Sequence, residues 1–77
     1  MSEIVINKEL LELRKGCAIV DSFIYNGKMY EKLIRDNGDI ICTVLYSDKG
    51  NDNNERTIIL MIDYEKYKQI YQISKNI

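Results

Sequence analysis

Three groups of side chains in this 77-residue chain have the types and spacing to do chemistry. The first is Asp48, Asn51, Asp52, Asn53 and Glu55 in DKGNDNNE, residues 48 to 55. Clustered oxygen ligands are what a hard cation such as calcium requires. The spacing is not that of an EF-hand loop, because Gly50 is misplaced and no glutamate follows at the bidentate position. With no apolar residue in it, the run reads as a solvated loop or the rim of a partner contact.

The second group is Cys17 and Cys42. A zinc site needs three or four nitrogen or sulfur ligands, and the chain has no third cysteine and no histidine. Without histidine a nucleophilic thiol also lacks its usual activating base. Both cysteines read as small hydrophobes. The third group is the tail, where Tyr64, Tyr67 and Tyr71 are interleaved with Lys66, Lys68 and Lys75. Aromatic faces beside cations can stack bases. At helical spacing the same stripe packs against a core. Asp36 and Asp39 flank a turn beside Arg35, which reads as charge balance rather than an acid-base pair.

Charge narrows the classes further. Eleven basic and twelve acidic residues leave a formal charge of −1. A dedicated nucleic-acid binder shows a basic excess or a basic face, so nucleic acid is not the expected partner. No apolar run approaches the ~20 residues of a membrane span. The start, MSEIVINKE, lacks the basic and apolar regions of a signal peptide. A cytoplasmic protein with reduced thiols is expected. Abundant Ile, Lys and Asn are what AT-rich genomes encode, which points to a low-GC bacterium or its phages.

The elements that must position these groups follow from two Asn-Gly pairs, Asn26-Gly27 and Asn37-Gly38. Asn-Gly between apolar runs is a strong hairpin signal, because a type I′ turn needs positive φ at both central residues. Two such turns predict a meander over 17–25, 28–36 and 39–47. They set Phe23 opposite Tyr30 and Asp21 opposite Lys32. They also set Val20 opposite Leu33, which faces Cys42, and Ile19 opposite Ile34, which faces Ile41. The rival for 28–36 is a helix ending at Gly38. RTIILMID adds a fourth strand over 56–62. The spacing of Tyr64, Tyr67, Ile70 and Tyr71 predicts a helix over 63–74 with Asp63 as N-cap. Asn7 and Gly16 bound a short helix over 7–15, and Ile4 to Ile6 form a possible extra strand. The expected fold is a single small α+β domain.

The predicted register puts apolar residues on both faces of the sheet. Val20, Ile24, Met29, Leu33, Ile40, Cys42, Val44 and Tyr46 share one face. Ile19, Phe23, Tyr25, Tyr30, Ile34, Ile41 and Leu45 share the other. A sheet with one wet face alternates apolar and polar residues, and this one does not. Leaving either face bare would expose an apolar patch near or above the roughly 300–600 Å² that soluble monomers show.

The function expected from this is non-enzymatic. It is a small protein-binding module, working by surface occupancy and needing no cofactor. It is expected to form a homo-oligomer, a dimer first. A phage or mobile-element inhibitor of a host defence or regulatory protein fits the size and coding. The expected interface is Phe23, Tyr25, Tyr30, Tyr64, Tyr67 and Tyr71, with Asp48, Asn51, Asp52, Asn53 and Glu55 as rim. The alternatives are an oligomeric small-molecule or nucleotide sequestering protein and a weak nucleic-acid binder through the tail.

Overall fold

A computed structural model of the chain describes residues 4–6, 8–49 and 55–76. Seven elements follow in order: β1 (Ile4–Ile6), α1 (Lys8–Lys15), β2 (Ala18–Tyr25), β3 (Lys28–Ile34), β4 (Ile40–Lys49), β5 (Glu55–Ile62) and α2 (Tyr64–Lys75). The fold is α+β: an antiparallel four-strand meander with a short N-terminal and a C-terminal helix. Segment 28–34 is strand, not helix. The extra strand β1 joins the sheet parallel to β5, giving the order β1-β5-β4-β3-β2. Asn7 and Asn51, Asp52 and Asn53 lie outside the described residues.

The first turn forms as its residues dictate. Asn26 and Gly27 have φ of 53° and 75°, as a two-residue type I′ turn requires. Phe23 then faces Tyr30, and Asp21 faces Lys32. Farther along, the ladder departs from the predicted pairing. It shifts between Ile19 and Asp21, so Ile19 faces Leu33 and Ala18 faces Ile34. Val20 is the extra residue of this bulge, which puts one more residue on β2 than on β3.

The second turn corrects the sequence reading. It is a longer connection than two residues. The Arg35 N–H donates to Asp39 O and the Gly38 N–H donates to Arg35 O, each at 2.9 Å. Gly38 has φ of 90°, the glycine position of a three-residue loop closed by a bulge. The Asn37 side chain bonds Asp39 twice, accepting from its N–H and donating to its carboxylate at 3.0 Å. The extra residue slides β4 by one, so Leu33 faces Ile41 and Lys32 faces Cys42. A slip of one residue turns every side chain of a strand to the opposite face. Cys42, Val44 and Tyr46 therefore join Phe23, Tyr25 and Tyr30, while Ile41 and Leu45 join Leu33 and Met29.

Each helix takes one face. α2 lies over Tyr30, Cys42 and Val44, with Tyr67 completing a core flanked by Phe23, Tyr25, Tyr46, Ile62 and Ile70. Asp63 precedes α2 in extended backbone without a side-chain cap bond. β1 and β2 sit at opposite edges of the sheet, so α1 between them must cross the other face. Leu10 is buried there, and Leu13 stands with it beside Met61. At its C-terminal end the Arg14 guanidinium pairs with Glu31, whose side chain is only 5% exposed. Glu31 lies in a row with Ser22 and with Thr43, which is fully buried.

Candidate functional site

Two features of the sheet stand apart from the closed core. The first is β2 and its surroundings on the α1 face. β2 is an edge strand, and Ile19, Val20 and Ile24 on it are 57%, 53% and 70% exposed. Ile24 heads a row that continues through Met29 and Leu45 to Ile59. Exposure falls along that row, from Ile24 through Met29 at 41% and half-buried Leu45 to Ile59 at 2%. α1 lies toward β5, where Met61 still stands 57% exposed, and leaves the side toward β2 open. A shallow depression of about 290 Å³ opens there, among Ile24, Met29, Leu45 and Thr57.

The backbone of β2 adds to this surface. Tyr25 and Lys28 close a two-residue turn and exchange hydrogen bonds, and the pattern then alternates along the ladder. Ser22 and Ile24 therefore aim their N–H and C=O groups away from β3, toward the open edge. Asp21 is the one charged residue of β2. Protective edge strands more often carry lysine, proline or several charges. The bulge at Val20 is the one such device present on this strand.

The second feature is the aromatic cluster under α2. Phe23 stacks on Tyr30 with ring centroids 5.0 Å apart, and meets Tyr67 and Tyr71 edge-on at 5.3 and 5.4 Å. The six aromatics expected at an interface thus converge, and most of them turn inward. Tyr30 and Tyr67 are buried, Phe23, Tyr25 and Tyr71 are half-buried, and Tyr64 alone is exposed. Of the expected rim residues, Asp48 is exposed at the end of β4 opposite Arg56, and Glu55 begins β5.

A cleft of about 330 Å³ separates α2 from β2 and β3 beside this cluster. Two ammonium groups stand over one ring, with Lys68 Nζ 4.8 Å and Lys32 Nζ 5.7 Å from the Tyr64 centroid. Lys68 also pairs with Glu65 at 3.0 Å, which raises its pKa. Lys75 Nζ lies 4.9 Å from the Tyr71 centroid. The Tyr67 hydroxyl is buried with no hydrogen-bond partner among the described residues. An unsatisfied buried hydroxyl costs about 1–3 kcal/mol. Burial, and next the Asp21 carboxylate, push the Tyr67 pKa up to about 12.

Both cysteines are free thiols. Cys17 is half-buried, and its thiol donates to Leu13 O at 3.2 Å. Burial pushes the Cys42 thiol up, against a smaller opposing pull from Lys32. A raised pKa disfavours the reactive thiolate. No helix is long and apolar enough to cross a membrane among the described residues.

Sequence reasoning missed two parts of this surface. It placed the exposed interface in the aromatic cluster, and the signal for β2 lay in the spatial order that leaves it at an edge. It also passed over Arg14 and Glu31, which nothing local in the sequence marks as a pair. No family model matches the chain, and neither a curated protein nor a solved structure matches it.

Proposed function

We propose that the chain is a protein-binding module that first pairs with a second copy of itself through β2. The observation that carries this is the combination of an open β2 edge with Ile24 standing 70% exposed on it. Residues 21 to 25 are the regular stretch of β2 between the bulge and the turn. Their centre is Phe23. Antiparallel pairing about Phe23 sets Ser22 opposite Ile24 of the second copy, and these are the residues whose backbone groups face outward. Any register centred on Asp21 would oppose two carboxylates, which is destabilising.

This pairing has a consequence for function. Opposite residues of an antiparallel pair point to the same face. Each Ile24 then lies opposite a Ser22 and diagonal to the other copy's Ile24, so the exposed Ile24–Met29 patches of the two copies adjoin at their Ile24 ends on the α1 side. Apolar patches larger than a monomer's usual limit mark protein-protein sites. Occupying a partner protein by this joined face is the mode of action we favour, and an inhibitor of a host regulatory or defence protein is its natural use.

Cysteine cross-linking tests the pairing. In a Cys17→Ser background, Ser22→Cys protein is mixed with Ile24→Cys protein under mild oxidation. Hydrogen-bonded antiparallel pairs have Cα atoms about 5.5 Å apart, within the usual disulfide span. The mixture should form a disulfide-linked dimer faster than either variant alone. Equal rates in all three samples would reject the register and the edge contact with it.

A further inference from the structure

We propose that the Asp21 carboxylate guards the β2 edge, holding a backbone donor that a second copy needs and so setting how tightly two copies pair. This rests on the reading of β2 as the pairing edge. Its support is a hydrogen bond on that edge. The Ser22 N–H donates to Asp21 Oδ1 at 2.9 Å. Ser22 and Ile24 are the residues of the regular stretch whose backbone groups point away from β3. Pairing about Phe23 needs the Ser22 N–H for the Ile24 carbonyl of the second copy. A side chain of the same strand already occupies it.

The local backbone favours this placement. The ladder is irregular between Ile19 and Asp21, directly before the guard. Bulges concentrate at sheet edges, where they re-aim side chains. Asp21 is exposed, so its carboxylate has room to lean over the edge. Charges on edge strands generally deter a second strand. This one also takes the donor itself.

The relative strength of two hydrogen bonds sets the direction of the effect. A bond to an ionised acceptor is stronger than one to a neutral carbonyl. Docking a strand exchanges the first for the second at Ser22, once in each copy. Pairing is weakened rather than abolished, because the carboxylate has other groups to turn to. Lys32 lies opposite it on β3. Tyr67, Lys68 and Tyr71 of α2 line the same cleft as Asp21. Lys75 is also within its field, with a pKa raised first by Tyr71 and further by Asp21. On pairing, the carboxylate leaves Ser22 and swings toward these lysines.

Light scattering on the parent, Asp21→Ala and Asp36→Asn tests the guard. Asp36 is exposed on the turn between β3 and β4, so replacing it removes the same charge without touching β2. Asp21→Ala should dimerise about tenfold or more tightly than the parent, the difference between hydrogen bonds to charged and to neutral groups. Asp36→Asn should match the parent. NMR reads the bond itself in dilute protein. The Ser22 amide proton should move upfield as acid neutralises Asp21, and should hold still over the same range in Asp21→Asn. Three results overturn the guard and leave the pairing standing: a parent that dimerises as tightly as Asp21→Ala, an equal gain from Asp36→Asn, or a Ser22 amide that does not follow Asp21. If the parent and Asp21→Ala both keep the mass of one chain, the guard and the pairing fall together.

Discussion

Arg14 and Glu31 show how one contact can hold an element in place. They lie seventeen positions apart, on α1 and β3. Glu31 is 4% exposed, and the row it shares holds Ser22 and the buried Thr43. Removing one partner of a buried ion pair strands the other charge, at a cost of about 3–5 kcal/mol. The Arg14 side chain is partly solvated, which favours the lower end. That is still a large share of the roughly 5 kcal/mol available to a domain of this size. Arg14→Ala should therefore lower the urea midpoint severely, read by circular dichroism. The pair Arg14→Met with Glu31→Gln should recover much of the loss, because no bare charge remains. An Arg14→Ala midpoint close to the parent's would mean that the pair carries little. The pair was not legible in the sequence, because a glutamate in a strand reads as solvent-facing until the topology lays a helix over it.

The elements themselves were legible almost throughout, and the two turns explain where register was not. Both carry the same Asn-Gly pair. At the first, Asn26 and Gly27 both take positive φ, and the predicted pairing of Phe23 with Tyr30 follows. At the second, only Gly38 does. The Asn37 side chain instead bonds Asp39, which favours a longer loop, and β4 slides by one. Nothing in the dipeptide distinguishes these outcomes. The bulge at Val20 likewise has no local mark such as glycine. Gly38 also gives an element-scale prediction. Its φ is 90°, and an added Cβ would meet nothing within 4 Å, so a substitution there strains backbone and creates no clash. Gly38→Ala should cost about 1 kcal/mol, seen as a lower urea midpoint with an unchanged slope. A neutral result would mean that the loop relaxes to another form.

For the whole molecule the governing fact is uneven cover. α2 covers an aromatic core on its face, leaving Leu60 and Ile40 at the margin. α1 has eight residues and reaches only part of the other face. Ile19, Val20, Ile24 and Met29 stay open as a result, all of them on or beside the edge strand β2. The sequence pattern made this imbalance visible as apolar residues on both faces. It could not say which end would stay bare, because that depends on the path of α1 from β1 at one edge to β2 at the other. A five-residue ladder is small beside the roughly 1,200 Å² of a stable standard interface, so the self-association predicted here is reversible. The most direct test is the mass of the intact chain by light scattering across micromolar to sub-millimolar concentrations. We expect the mass to rise with concentration toward twice that of one chain, and Ile24→Lys to hold it lower. A parent protein that keeps the mass of a single chain over the whole range would contradict the account.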